Sequence, residues 1–323
     1  MQQMKQRNNI DDSISQVEVI TSARLHMGFY HLSGEISKFG SLGMRLNAPS
    51  THISLAKSNK MLIDDSACES VTTIVKLLVD AFNIKQNFSL IMYDSIPAHA
   101  GLGSGTQLAL AIGAGLNQLF NLDISLAQIA SVAKRGKRSG IGLAAFERGG
   151  VIVDSGVTGD ELPQIALRQA FPDNWRVLLV TDSASIGVHG KAELQAFKLL
   201  KPAQNSLQDM MFNYMMPALQ RSDLLAFGAN MQELQAYNGE YFAPVQGGHY
   251  ASRDVAEVLA WLQNNGAPCI GQSSWGPTGF AILSSAEHAE SLKNHAQLSF
   301  ANKTNISFTI CCGHNSGATI NTS

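Results

Sequence analysis

Residues 97–107 read PAHAGLGSGTQ, and this short stretch decides the fold class. It carries Gly101, Gly103 and Gly105, the small hydroxyl residues Ser104 and Thr106, and no acid. The strand-like run FSLIMYDSIP ends at Pro97, and the apolar run TQLALAIGAGLNQLFNL follows. The pattern is strand, glycine turn, buried helix. Glycine lets backbone N–H groups approach a ligand with no Cβ in the way. A helix starting at about Ser104 or Gly105 aims its unpaired N–H groups and positive dipole end back into the loop. That geometry favours phosphate. The hydroxyls of Ser104 and Thr106 can reach phosphate oxygens or a magnesium ion. Taken alone, the stretch also fits a tight connection with no ligand. It lacks the GK[ST] ending of a P-loop, and it is not a dinucleotide-binding GxGxxG with its following acid.

Strands and helices alternate outward from the loop. QVEVITSARLHMG alternates apolar and polar residues as a strand does, and HISLAKS reads as a short strand. ESVTTIVKLLVDAFNI has amphipathic helical spacing. SLAQIASVAKRG reads as a helix capped by Ser125. GGVIVDSG, WRVLLVTDS, GFAILSS and ISFTICCG read as strands. SLQDMMFNYMMPALQ, SDLLAFGANMQELQAYNGEYF and SRDVAEVLAWLQNNG read as helices. The acidic, proline-bearing TGDELPQIALRQAFPDN is the best boundary between two halves.

The 323 residues suffice for two domains. Hydrophobic residues are 45% and charged residues 15%, the balance of a packed globular protein. A net charge of -2 carries no nucleic-acid footprint. The polar start MQQMKQRNNI has no apolar core of a secretory leader, and no run approaches a membrane span. The four cysteines, Cys68, Cys269, Cys311 and Cys312, form no CxxC and no zinc spacing with histidine. A cytoplasmic location is expected. The adjacent Cys311 and Cys312 fit two small apolar residues near a strand, or a reactive pair.

PAHAGLGSG resembles the second motif of the GHMP kinase superfamily, P-x-x-x-G-L-G-S-S. TSARLHMGFYHLSG (21–34), KRGKRSGIGLAAFERGG (134–150), GEYFAPVQGGHYAS (239–252) and GQSSWGPTGF (271–280) resemble one branch of it, the β-ribofuranosylaminobenzene 5′-phosphate synthases of methanopterin biosynthesis. The similarity runs in order from about residue 17 to about residue 283. Many GHMP kinases carry an S-G-x-D run whose aspartate is the base for the substrate hydroxyl. The matching run here is Ser139-Gly140-Ile141-Gly142, which has no acid.

The resemblance implies an α+β, GHMP kinase-like fold. Residues 1–165 would form an N-terminal α/β domain with the phosphate loop, and 166–323 a C-terminal domain with a helix-backed antiparallel sheet. It implies a transfer of ribose 5-phosphate from phosphoribosyl pyrophosphate to 4-aminobenzoate or 4-hydroxybenzoate, with release of pyrophosphate and carbon dioxide. Magnesium would accompany the pyrophosphate, and the protein would be a homodimer. The alternative within the fold is an ATP-dependent small-molecule kinase.

This chemistry selects candidate residues. The departing pyrophosphate needs cations and N–H groups. Gly101, Gly103, Ser104, Gly105 and Thr106 would bind it, joined by Lys134, Arg135 and Arg138 of KRGKR, a run that also fits a solvated helix end. Arg24 and His26 lie two apart on a strand and share a face, as a substrate clamp or an edge-strand surface pair. Ser273 and Ser274 would bind phosphate or carboxylate, and Trp275 would stack on the aromatic acceptor or pack in the core. His189, in a small-residue turn, fits a phosphate contact or an exposed loop. Glu240 would be a metal ligand, with Ser104, or a proton shuttle, against a plain salt-bridged role.

Overall fold

The computed structural model describes residues 14–32, 35–64, 69–156, 162–185, 187, 207–274 and 276–323. His189 and Trp275 lie outside them.

Two long strands, β1 (Gln16–Leu32) and β2 (Glu35–Lys57), pair antiparallel and form the backbone of a seven-stranded sheet. HISLAKS is the far end of β2, not a separate strand. The sheet adds β3 (Leu62–Ile63), β4 (Phe88–Asp94), β5 (Val151–Asp154), β6 (Ile165–Gln169) and β11 (Thr319–Thr322). The β1–β2 register slips between Ser22 and Arg24 and again between His26 and Gly28. Such bulges re-aim side chains, and these two bracket Arg24 and His26.

Helices α1 (Glu69–Phe82), α2 (Ser104–Phe120) and α3 (Leu126–Val132) cover one face of this sheet. Val71, Ile74, Val75 and Leu78 form the buried stripe of α1. Ser125 caps α3, as the sequence indicates, and Gln128 completes a capping box that the sequence reading did not name. A short helix absent from the sequence reading, α4 (Ile141–Glu147), packs beside α2.

The second sheet is antiparallel, in the order β10 (Ile306–Cys311), β7 (Arg176–Asp182), β9 (Gly279–Leu283), β8 (Cys269–Gln272). Val177 and Leu179 of β7 point into a core shared with β1 and β2, while Leu178 and Val180 point under α6 (Arg253–Asn264) and α7 (Ala286–Ser299). Period-2 alternation with both faces apolar produces the continuous run VLLV. The shared core is completed by a helical run at 208–220 and by α5 (Leu224–Gln246), so one apolar cluster joins the two sheets.

The sequence reading differs further in the second half of the chain. The stretch taken as the boundary contains β6, an edge strand paired with β5. The expected division at 165 thus falls at the start of a strand of the first sheet. The last strand, β11, also returns to that sheet and pairs with β1. Helix α7 was not foreseen, because its buried stripe is only Ala289, Leu292 and Ala296. Cys311 ends β10, donates a hydrogen bond to the carbonyl of Ala48, and is pushed by burial up to about 12, the behaviour of an apolar filler. Among the described residues no helix is long and apolar enough to cross a membrane.

Candidate active site

Three chain segments meet at the mouth between the sheets. Gly101 and Gly103 take φ +79°, in the left-handed region. Gly103 is the N-cap of α2 and makes no side-chain capping bond. Its carbonyl accepts from the N–H groups of Thr106 and Gln107, so the first N–H groups of the helix face the loop. The late loop after β8 lies against this turn: a Cβ on Gly276 would sit 2.4 Å from the Cα of Gly101. Ser273 Oγ donates to the Gly101 carbonyl at 2.8 Å and accepts from the His26 N–H at 3.2 Å. The Ser274 N–H donates to the His26 carbonyl at 2.8 Å, and Arg24 Nη1 donates to the Gly101 carbonyl at 2.9 Å. Strand, glycine turn and late loop are therefore one hydrogen-bonded unit.

Two cavities adjoin there. The larger, about 530 Å³, is lined by Arg24, His99, Gly101, Gly103, Ser104, Gly105, Thr106, Arg135, Arg138 and Ser274, among others. The smaller, about 110 Å³, is lined by Arg24, His26, Phe29, Thr106, the run Lys134 to Ser139, Gly142 and Ser274. Arg24, Thr106, Arg135, Arg138 and Ser274 border both. Arg24, Lys134, Arg135, Lys137 and Arg138 converge here, and no described Asp or Glu lines either cavity. The arrangement is built for an elongated polyanion.

His26 is the exception to this wet, cationic surface. It is 3% exposed, and neither ring nitrogen has a hydrogen-bond partner. Burial holds its pKa well below the usual histidine value, and the charges of Arg24 and Arg138 push the same way. Its ring centroid lies 4.3 Å from that of Phe29.

The structure revises several expectations. Ser273 is fully buried and spends its hydroxyl on the bridge between β1 and the glycine turn, so Ser274 alone of the pair faces the cavities. Glu240 is exposed on α5 and lines neither cavity. Helical geometry explains this: two residues are 200° apart, and Asn238 is the inward one. Asn238 donates to the Phe29 carbonyl and accepts from its N–H, both at 2.9 Å. The buried series Phe227, Met231, Leu234 and Asn238 carries this signal in the sequence. With Glu240 outside, the lining offers magnesium several hydroxyls, Ser104 and Thr106 among them, but no described carboxylate, and no described cluster of His, Cys, Asp or Glu could hold a metal. The described residues do not fit a resident metal ion.

Two supporting residues escaped the sequence reading. Gln107, buried in α2, accepts from Thr21 Oγ1 at 2.6 Å and donates to the Gly142 carbonyl at 2.8 Å, tying β1 to α4. Asp154 at the end of β5 accepts from Ser139 Oγ and the Gly140 N–H, fixing the end of the cationic run. Gly142 borders the smaller cavity, and a Cβ there would lie 2.9 Å from the methyl carbon of Thr106. The kinase-like acid position is occupied by backbone packed against a neighbour.

Residues 69–150 match the GHMP kinases N terminal domain, and residues 215–302 match the GHMP kinases C terminal family. A beta-ribofuranosylphenol 5'-phosphate synthase from Methanocaldococcus jannaschii is 30% identical over 81% of this chain and 88% of its own length. The protein of the same name from Methanothermobacter thermautotrophicus is 27% identical over 81% of this chain and 87% of its own length. A homoserine kinase structure from Cytophaga hutchinsonii superposes with a TM-score of 0.67 at 16% identity, covering 99% of this chain and all of that one, which shows the shared fold. The chain belongs to the beta-ribofuranosylphenol 5'-phosphate synthase family and has the two-part GHMP kinase fold.

Proposed function

We propose that this member of the synthase family joins ribose 5-phosphate from phosphoribosyl pyrophosphate to 4-hydroxybenzoate or 4-aminobenzoate, in methanopterin biosynthesis. The bond from C1 of the ribose to pyrophosphate breaks, and C1 bonds to the ring carbon that bears the carboxylate. That carbon then loses carbon dioxide, and the electrons of the broken C–C bond restore the aromatic ring. One observation carries the reading: a cationic cavity at a helix N-terminus, with no described carboxylate in its lining, adjoins a smaller pocket lined by a buried histidine and a phenylalanine. The first suits a phosphorylated donor and the second an aromatic ring.

Each part has a task. The glycine turn and the N-terminus of α2 bind pyrophosphate oxygens through backbone N–H groups. Arg24, Arg135 and Arg138 border both cavities, and there they offset the charge that builds on the leaving group. Magnesium enters as the counter-ion of the donor and is part of the substrate. The two cavities hold the ring against C1 and replace the search for a bimolecular encounter. The protein acts as a cytoplasmic homodimer.

Incubation with phosphoribosyl pyrophosphate, magnesium and carboxyl-labelled 4-hydroxybenzoate or 4-aminobenzoate is the test. Labelled carbon dioxide and pyrophosphate in equal amounts are expected. ADP formed from ATP and a small alcohol, with no carbon dioxide from either benzoate, would replace this reading with a kinase.

A further inference from the structure

We propose that His26 sets acceptor specificity, its ring taking the hydrogen bond of the hydroxyl or amino group opposite the acceptor's carboxylate. The assignment rests on the synthase reading above and goes to a single side chain within it.

The first reason is the ring's own state. A buried polar atom without a partner costs free energy, and native structures rarely tolerate one. His26 has two such atoms at 3% exposure. The ring is also placed where a ligand can reach it. It borders the 110 Å³ pocket, and it also borders a narrower recess of about 20 Å³, walled by Phe29, Asn238, Phe242 and Gln272. A neutral imidazole offers one donor and one acceptor, so it can complete a bond with an incoming X–H group.

The second reason is orientation. The carbon under attack bears the carboxylate and must face C1 of the donor, on the side of the larger cavity, whose lining includes neither His26 nor Phe29. The 4-substituent is on the opposite edge of the ring and points to the back of the pocket. Phe29 and His26 are there, packed ring to ring at 4.3 Å.

The third reason is electronic. Attack draws electrons from the 4-substituent into the ring, and an acceptor for its proton strengthens that release. An imidazolium would oppose it. The charged groups around His26 are Arg24 on its own strand and Arg138 on the loop facing it, and both disfavour the imidazolium. The cations that bind the donor therefore also keep His26 able to accept a hydrogen bond.

The test compares 4-hydroxybenzoate with 4-methoxybenzoate, which has no X–H to offer. The wild-type protein is expected to favour the hydroxyl compound in kcat/KM. His26→Phe is expected to flatten that preference by about 10- to 100-fold, while His26→Gln, which retains an acceptor oxygen, keeps part of it. A folded His26→Phe protein with the wild-type preference overturns the proposal. Should His26→Phe not fold, ring-¹⁵N spectra of the wild-type protein decide. The histidine signal lost in His26→Gln should move on addition of 4-hydroxybenzoate and stay still with 4-methoxybenzoate, and equal movement with both overturns the assignment. Absence of turnover with either benzoate by the wild-type protein counts against the synthase reading instead, and the spectra, which need only binding, still test His26.

Discussion

Asp154 and Asp182 each accept four hydrogen bonds, yet their carboxyl groups shift in opposite directions. Asp154, behind the cationic run, accepts from the N–H groups of Ser41, Gly140 and Gly156 and from Ser139 Oγ. Asp182, at the end of β7 in the second sheet, accepts from the Ala184 N–H, Ser185 Oγ, Ser252 Oγ and Asn305 Nδ2. Burial pushes Asp154 up to about 6 despite its four donors. Burial also opposes ionisation of Asp182, but there the Ser185, Ser252, Asn305 and Ala184 donors win and its pKa falls to about 2. Asp154 is fully buried and Asp182 is 6% exposed. With the same number of donors, the balance between desolvation and hydrogen bonding to the ionised form decides the direction. The two carboxylates also support different things. Asp182 closes a polar cluster with Ser252 and Asn305, whereas Asp154 holds the end of a cationic run that faces a cavity.

The widest separation should come from removing each acid. Asp154→Ala leaves four donors stranded in the interior and unpins the cationic run. A loss of about 3 kcal/mol of stability and of about 100-fold in synthase kcat/KM is expected. Asp182→Ala should also destabilise, with kcat/KM within about twofold of wild type, because Asp182 and the four groups that donate to it line neither cavity. Denaturant melts and carbon dioxide release measure both. Equal activity losses would break the comparison.

Next in size is the cradle that the cationic run faces. Gly103→Val puts a branched side chain at φ +79°, with its Cβ 2.9 Å from Cγ of Arg24. Binding of phosphoribosyl pyrophosphate, read by calorimetry, should weaken by at least about 100-fold, since left-handed φ is an outlier for a branched residue and the loop must move. Unchanged affinity in a folded variant would remove the loop as the phosphate cradle.

The two acids then predict opposite pH slopes. Asp154, raised from 3.8 to about 6, contributes stability that is full below the unfolded value and is lost as pH rises through about 6. Asp182, lowered to about 2, contributes stability present above 3.8 and lost as pH falls toward 2. Denaturant midpoints from pH 2 to 7 should therefore lose their upper slope in Asp154→Asn and their lower slope in Asp182→Asn. Identical profiles for the two variants would refute the contrast.

The smallest effect belongs to Gly142. Gly142→Asp brings a carboxylate near the donor's phosphates. At an effective dielectric of about 20, two charges about 4 Å apart interact by roughly 4 kcal/mol. A quarter of that raises the Michaelis constant for phosphoribosyl pyrophosphate about fivefold. The new Cβ also crowds the Thr106 methyl, so a Gly142→Asp/Thr106→Ser pair separates charge from contact. Appearance of ATP-dependent phosphorylation of a small alcohol in either variant would reopen the kinase alternative.

The sequence by itself determined what short-range pattern encodes. The glycine turn before a buried helix, the N-cap at Ser125 and the two-residue spacing of Arg24 and His26 are all local, and the structure has them in place. The motifs were also enough to place the chain in its superfamily and branch. Helix periodicity held one unread clue, the inward position of Asn238 beside an outward Glu240. Only the tertiary structure decided the rest. That Ser273 serves as a bridge, that Gly276 touches Gly101, that Asp154 pins Ser139 and that His26 has no partner are facts about residues brought together from distant parts of the chain. A residue's type states which bonds it can make. Packing of the two sheets through one core decides which of those bonds are already made and which are left for a ligand.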